Sequence, residues 1–222
     1  GVEIHDILTW REDGTLAFVS HNRNKKPHGI QETYDTAENL ISSRAFQDGI
    51  QHGPFRLWFD GGTQLQSESN YENGKFNGLR TIWNEDGTTK ETQEYKDDLR
   101  HGEGRNFSRY PSGNLNNELY RIWNYGEERY REDWWWYDSN VLNTHTLSKT
   151  AAGNFQAETT PDYSLVEIFD DQGRPNSEWG YRNGKIHGVS RGWTEGILTI
   201  EEYYKESQLH GRKRNWNQTS GN

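Results

Sequence analysis

One pattern constrains this chain more than any other. The stretch "YENGKFNGLRTIWNEDG" at residues 71–87 orders an aromatic, a turn, a glycine, an aromatic and a second turn. The order returns as "YKDDLRHGEGRNF" from Tyr95, "YRNGKIHGVSRGW" from Tyr181 and "YKESQLHGRKRNW" from Tyr204. The aromatics that precede the second turn fall at Trp10, Tyr34, Trp58, Trp83, Phe107, Trp136, Phe169, Trp193 and Trp216, at successive spacings of 24, 24, 25, 24, 29, 33, 24 and 23. Gly29, Gly53, Gly78, Gly102, Gly188 and Gly211 each stand five residues before one of them. Phe46, Tyr71, Tyr95, Tyr181 and Tyr204 stand seven residues before a glycine. Two anchored columns with a period of about 24 signal a repeat architecture.

Each repeat holds two short strand-like runs and two turn signals. "NG", "DG" and "SG" punctuate hairpins, because glycine accepts positive φ without steric cost. Apolar residues at three-and-four spacing never persist beyond two turns, so helical periodicity is missing. The expected fold is therefore all-β: a repeat array of antiparallel β-hairpins, forming one elongated, curved single-layer meander sheet of roughly sixteen to eighteen strands. Equivalent aromatics should stack as ladders on one face, and the repeat glycine should close the first turn and leave room beneath a neighbouring ring. Residues 1–222 read as a single domain.

Composition fits a thin sheet. Only 30% of residues are hydrophobic and the mean hydropathy is -1.19, yet there are 10 Trp, 12 Tyr and 8 Phe. Apolar surface is thus carried by large rings spread along the chain. The net charge of -9 and the isoelectric point near 5.4 argue against nucleic acid and against anionic membranes, which both need a basic footprint. The basic run at Arg212 to Arg214 reads as a solvated turn. No apolar run approaches the ~20 residues of a spanning helix. Cysteine is absent, which removes disulfides and thiolate metal sites, and so is methionine, which points to a processed or trimmed chain. The compartment stays open: cytoplasmic or, if a signal peptide has been removed, periplasmic or at the cell surface.

The middle departs from the pattern. Between Gly102 and Gly188 no "HG" pair occurs. The second turns persist at Asp138 to Asn140 and at Asp170 to Gly173. The first turns read as replaced by longer loops at Asn124 to Asp133 and at Leu147 to Tyr163. Residues 120–165 are accordingly two degenerate units, and the threonine-rich second segment is the element expected to protrude.

Chemistry has little support. His28, His52, His101, His187 and His210 each precede a repeat glycine. Strands lie ~4.8 Å apart and each repeat supplies two, so equivalent histidines stand too far apart to share a metal ion. Adjacent acids such as Glu85–Asp86 and Asp97–Asp98 sit in turns, not across a cleft. There is no nucleophile elbow and no phosphate loop. No catalytic residue, metal or cofactor is expected. "WWWYD" at Trp134 to Asp138 is the most unusual stretch. Alternation puts Trp134 and Trp136 on one face and Trp135 on the other. An exposed Trp135 would be a candidate partner contact; otherwise the 147–163 segment covers it. The candidate partner-binding residues are Trp134, Trp135, Tyr137, Phe155 and Tyr163.

The segments "YENGKFNG", "YRNGKIHG", "YKDDLRHG" and "YKESQLHG" resemble MORN repeats, in the bacterial MORN-repeat variant, over about four-fifths of the chain. The resemblance implies an elongated, curved sheet of hairpins. It also implies a non-enzymatic protein-binding module, with antitoxins and immunity proteins among bacterial members and scaffolds among eukaryotic ones. An immunity or antitoxin protein that binds and neutralises a toxin is the leading expectation. An acidic surface would suit a basic partner. A carbohydrate-binding or surface scaffold protein is the alternative, since Trp and Tyr stack on sugars.

Overall fold

The structure, a computed structural model, describes residues 1–149 and 163–216. The described residues fall into two units, 1–104 and 105 onward. Both are all-β, and each is a meander of antiparallel hairpins. The first holds β1 (Ile4–Trp10), β2 (Leu16–Arg23), β3 (Lys26–Tyr34), β4 (Leu40–Gln47), β5 (Ile50–Trp58), β6 (Leu65–Glu72), β7 (Lys75–Phe76), β8 (Gly78–Trp83) and β9 (Thr89–Lys96). The boundary falls inside β10 (Leu99–Arg109). The second holds β11 (Leu115–Asn124), β12 (Glu127–Trp136), β13 (Leu142–Lys149), β14 (Tyr163–Phe169), β15 (Pro175–Arg182), β16 (Lys185–Thr194), β17 (Ile197–Lys205), β18 (Gln208–Leu209) and β19 (Arg214–Asn215). Two arms are interrupted and appear as two fragments each, since β7 and β8 both pair with β6, and β18 and β19 both pair with β17.

Both turn types recur. First turns are tight pairs with φ positive at both central residues, as at Asn73 (52°) and Gly74 (83°). This is the backbone twist that matches flanking strands. Second turns are longer. Asn84 donates its N–H to the Thr88 carbonyl and Gly87 donates to Asn84, and the same pair of bonds recurs at Tyr137/Val141 and at Asp170/Arg174. Both second turns expected in the middle of the chain are therefore present. The first turn at Asn124 to Asp133 is not a long loop: Tyr125 and Gly126 turn the chain as tightly as Asn73 and Gly74, and the residues on either side are strand. The irregularity there is a one-residue bulge opposite Ile122 and Trp123. Of the second expected loop, Leu147 to Lys149 belongs to β13 and Tyr163 opens β14; residues 150–162 lie outside the described residues.

The repeat glycine does not close a turn. Gly29, Gly53 and Gly188 lie inside strands, at bulges, while Gly78 and Gly211 fall where an arm is broken, between Phe76 and Leu79 and between β18 and β19. Arg44 pairs with Phe55 and Phe46 with Gln51, so His52, Gly53 and Pro54 together face the single residue Ala45. Gly53 has φ 100°, a conformation that L side chains rarely adopt, and a Cβ there would stand 3.2 Å from that of Ala45. The excursion presents the Gln51 carbonyl to the next first turn, where Gly74 donates at 2.9 Å. Gly49 likewise donates to Pro27, and Ser207 to Ile186. The histidine before the glycine assists: His28 Nδ1 accepts from the Asp48 N–H at 3.3 Å and His52 Nδ1 from Asn73 at 3.5 Å, both long bonds. Stacking of successive hairpins is thus written into each "HG".

The two aromatic columns part company. Tyr71 and Tyr95 join Phe55 and Phe76 in one ring series, with centroids 6.3, 4.4 and 5.5 Å apart. Alternation along β5 and β8 sends Trp58 and Trp83 to the opposite face, where they pair across the strand with Leu65 and Thr89. The single ladder face expected from the repeat is therefore two faces with different packing. Among the described residues no large side chain is fully enclosed, and the buried side chains are polar: Ser20, Asn22, Ser69, Gln93, Glu128 and Ser148. Half-covered rings over small polar residues take the place of a thick core, as a one-layer sheet requires.

Candidate interaction site

The second unit presents an open aromatic groove of about 440 Å³ lined by Tyr110, Trp135, Trp136, Tyr137, Asn143 and Thr144. Its position follows from β12. The strand begins after the Tyr125–Gly126 turn, runs through "EERYREDWWW", and ends where Tyr137 opens the second turn. Trp135 pairs with Asn117 on β11 and with Thr144 on β13, all on one face, and is 43% exposed. Across the strands that follow, the row on that face is uncharged: Thr144 pairs with Ile168, Ile168 with Ser177 and Ser177 with Gly192. Along β12 the same face carries Asp133, which accepts from the Asn117 amide.

The opposite face is charged. Glu118, Trp134, His145, Glu167, Glu178, Arg191, Glu201 and Arg214 follow one another across consecutive strands, from β11 to β19. Trp134 is absorbed there. Its indole N–H donates to Glu132 at 3.1 Å, and its ring meets the His145 ring edge-on at 4.8 Å. His145 Nδ1 lies 2.8 Å from Glu167. Tyr130 donates its hydroxyl to Glu132; burial, then that carboxylate, push the phenol up to about 12, so it stays a donor.

Two of the expected site residues, Trp135 and Tyr137, come together in the groove. Trp134 faces the other way, as alternation requires. Phe155 lies outside the described residues, and so does the side chain of Tyr163. Sequence reasoning missed Tyr110, Asn143 and Thr144. Tyr110 is the first residue of a second turn, in the same role as Tyr137, and both reach the next repeat: Tyr110 donates to the Trp136 carbonyl at 2.9 Å and Tyr137 to the Phe169 carbonyl at 3.4 Å. Arg11, at the same place, bonds the Tyr34 carbonyl. That turn position was a readable signal. Asn143 was not, because it enters as the extra residue where Trp135 pairs with Thr144 but Trp136 with Leu142.

Among the described residues no group of three or more His, Asp or Glu is placed to hold a metal ion, and no helix is long and apolar enough to cross a membrane.

No protein-family model matches the chain, and no curated protein matches it. Among solved structures it is similar to one described as "Crystal Structure of TcdB2-TccC3-TEV", at 14% identity and a TM-score of 0.30, over 97% of this chain. The chain spans 14% of the length of that protein. A likeness at this level bears on neither site nor function.

Proposed function

We propose that this protein is a non-enzymatic binding module of MORN-repeat type, and that it docks a protein partner through the groove around Trp135. One observation carries the reading: an exposed tryptophan stands between two tyrosines whose hydroxyls are tied to the backbone of their own unit. Rigid aromatic anchors of this kind dominate protein interfaces, because they bury much area and lose little freedom on binding. Regular repeats offer the same surface many times over; the groove lies where the repetition changes, which is where specificity to one partner can reside. The net charge of -9 adds long-range attraction for a basic partner.

The partner class that fits best is a toxin that this chain masks as an antitoxin or immunity protein. The motive is the repeat resemblance together with the acidic charge. The test is co-expression with the protein encoded by the adjacent gene. The expected result is a stable complex, protection of the producing cells, and loss of both on Trp135→Ala. A neighbour that neither copurifies nor harms cells lacking this protein would defeat the toxin reading. A partner that binds Trp135→Ala as tightly as the parent would defeat the groove.

A further inference from the structure

We infer that the Trp135 groove takes an uncharged, proline-containing extended segment of its partner. This rests on the groove being the docking site and adds what enters it. The first argument is charge. The grooves described elsewhere are lined by ionic groups: Arg80, Glu85 and Lys90 in one, Asp60 and Glu85 in a second, Arg182, Lys185, Lys205 and Glu206 in a third, Glu167 and Glu178 in a fourth. Among the described residues that line it, the Trp135 groove has no Asp, Glu, Lys, Arg or His, in a chain of which 27% is charged. A charged ligand group would lose water there and gain no counter-charge, so the entering segment is neutral.

The second argument is the balance of donors and acceptors. Three hydroxyl protons at the groove are already used: Tyr110 donates to Trp136, Tyr137 to Phe169, and Thr144 to Asn143 Oδ1 at 2.6 Å. The Trp135 indole N–H and the Asn143 amide N–H groups remain as donors among the described residues. Two free N–H donors beside aromatic faces favour a ligand that brings carbonyl acceptors and flat apolar surface. An X-Pro segment does this, since proline keeps its carbonyl, lacks the N–H and offers a flat apolar ring. In the polyproline II form it is extended before it binds, so little ordering entropy is lost on an aromatic-lined groove.

Octaproline, acetylated and amidated so that it carries no charge, is the probe, titrated calorimetrically into the full chain. Saturable binding is expected. Trp135→Ala and Asn143→Asp should each weaken it at least about tenfold, with circular dichroism unchanged. Affinity should change less than about twofold between ~0.05 and ~0.5 M salt, since no ion pair forms. Absence of binding to the parent chain overturns the inference. So does binding that both variants retain, or a neutral oligosaccharide that binds the parent and not Trp135→Ala. Should Trp135→Ala fail to fold, Asn143→Asp decides alone. A protein partner that needs Trp135 but is not displaced by octaproline leaves the groove as docking site and removes the proline segment. A partner indifferent to Trp135 removes both.

Discussion

In the first unit Tyr71 stands between Phe55 and Phe76, and the Arg44 guanidinium lies 4.7 Å over the Phe55 ring. In the second unit the corresponding work is ionic. Glu128, 4% exposed, reaches Arg131 at 2.8 Å and Arg121 at 3.5 Å, and Arg191 lies between Glu178 at 2.9 Å and Glu201 at 3.1 Å. Turn geometry is shared by both units, while the balance of contacts between neighbouring strands shifts: the first also pairs Arg56 with Glu68 at 2.7 Å, and the second also sets Tyr120 against Tyr130 at 6.1 Å. The comparison teaches that a hairpin repeat needs complementary neighbours across each strand pair, not one recurring side chain. It also explains how the pattern could lapse between Gly102 and Gly188 without loss of the fold: the Glu128 pairs together with the Tyr120–Tyr130 and Trp134–His145 contacts stand in for the recurring column there.

The largest expected effect tests the ring series. Tyr71→Ala removes two ring contacts and opens a gap that the sheet cannot close. It should destabilise the protein by about 3 kcal/mol, the low end for aromatic truncation because the ring is only half-covered. Denaturant titration measures it. A loss below about 1 kcal/mol would show that the rings of the first unit are ornaments on a backbone-held sheet. Next comes Glu128→Gln, which leaves Arg121 and Arg131 opposed across the strand pair. Removing one partner from a buried ionic group is costly, and partial water access to the arginines reduces this to about 2 kcal/mol. Salt sharpens the contrast. Raising it to ~0.5 M should speed hydrogen exchange in β16 and β17, held by the Arg191 pairs, more than in β3 and β4. Equal acceleration would erase the difference drawn between the units. A smaller loss, about 1–2 kcal/mol, is expected for Gly53→Ala, because alanine must adopt φ near 100° at the bulge.

Much of this was legible in the sequence, and what escaped did so for a physical reason. Aromatic spacing and turn dipeptides are local signals, so the hairpins, the second turns at Tyr137 and Asp170, and the outward side of Trp135 could all be read. The role of Gly53 could not. Positive φ serves a turn and a bulge alike, and only the pairing of Phe46 with Gln51 tells them apart. A second column was present but unread: Leu16, Leu40, Leu65, Leu142 and Leu198 each pair with the ring that closes a second turn. Asn143 and the Glu128 pairs depend on cross-strand register, which a one-residue bulge shifts without a trace in composition.

Acid should produce the smallest difference between the units, because here they use the same device. In the first unit the Asp35 carboxylate accepts from the Asn39 amide and from the Asn39 and Ala37 backbone N–H groups, and the side-chain bond to Asn39 leads in holding it below the usual carboxylate range. In the second, Asp170 accepts from the Arg174 and Gln172 backbone N–H groups, and the backbone bond from Arg174 leads in holding it low. Both folded values lie below the unfolded one. The stabilisation is therefore complete above the unfolded carboxylate range, and it is lost as pH falls through the depressed folded values. Both turns are exposed, so the effect on global stability is slight and is best read locally. Hydrogen exchange at Asn39 and Arg174 should accelerate together on acidification, relative to a reference amide of the β5–β6 pair. Asp35→Asn and Asp170→Asn should each remove that response at their own turn and leave the other intact. Acid loosening of Asp170 alone would mean that the Arg174 side chain, which bonds Asp170 at 2.7 Å, holds the turn, and that the second unit depends on ion pairs even where its hairpin geometry is common to both.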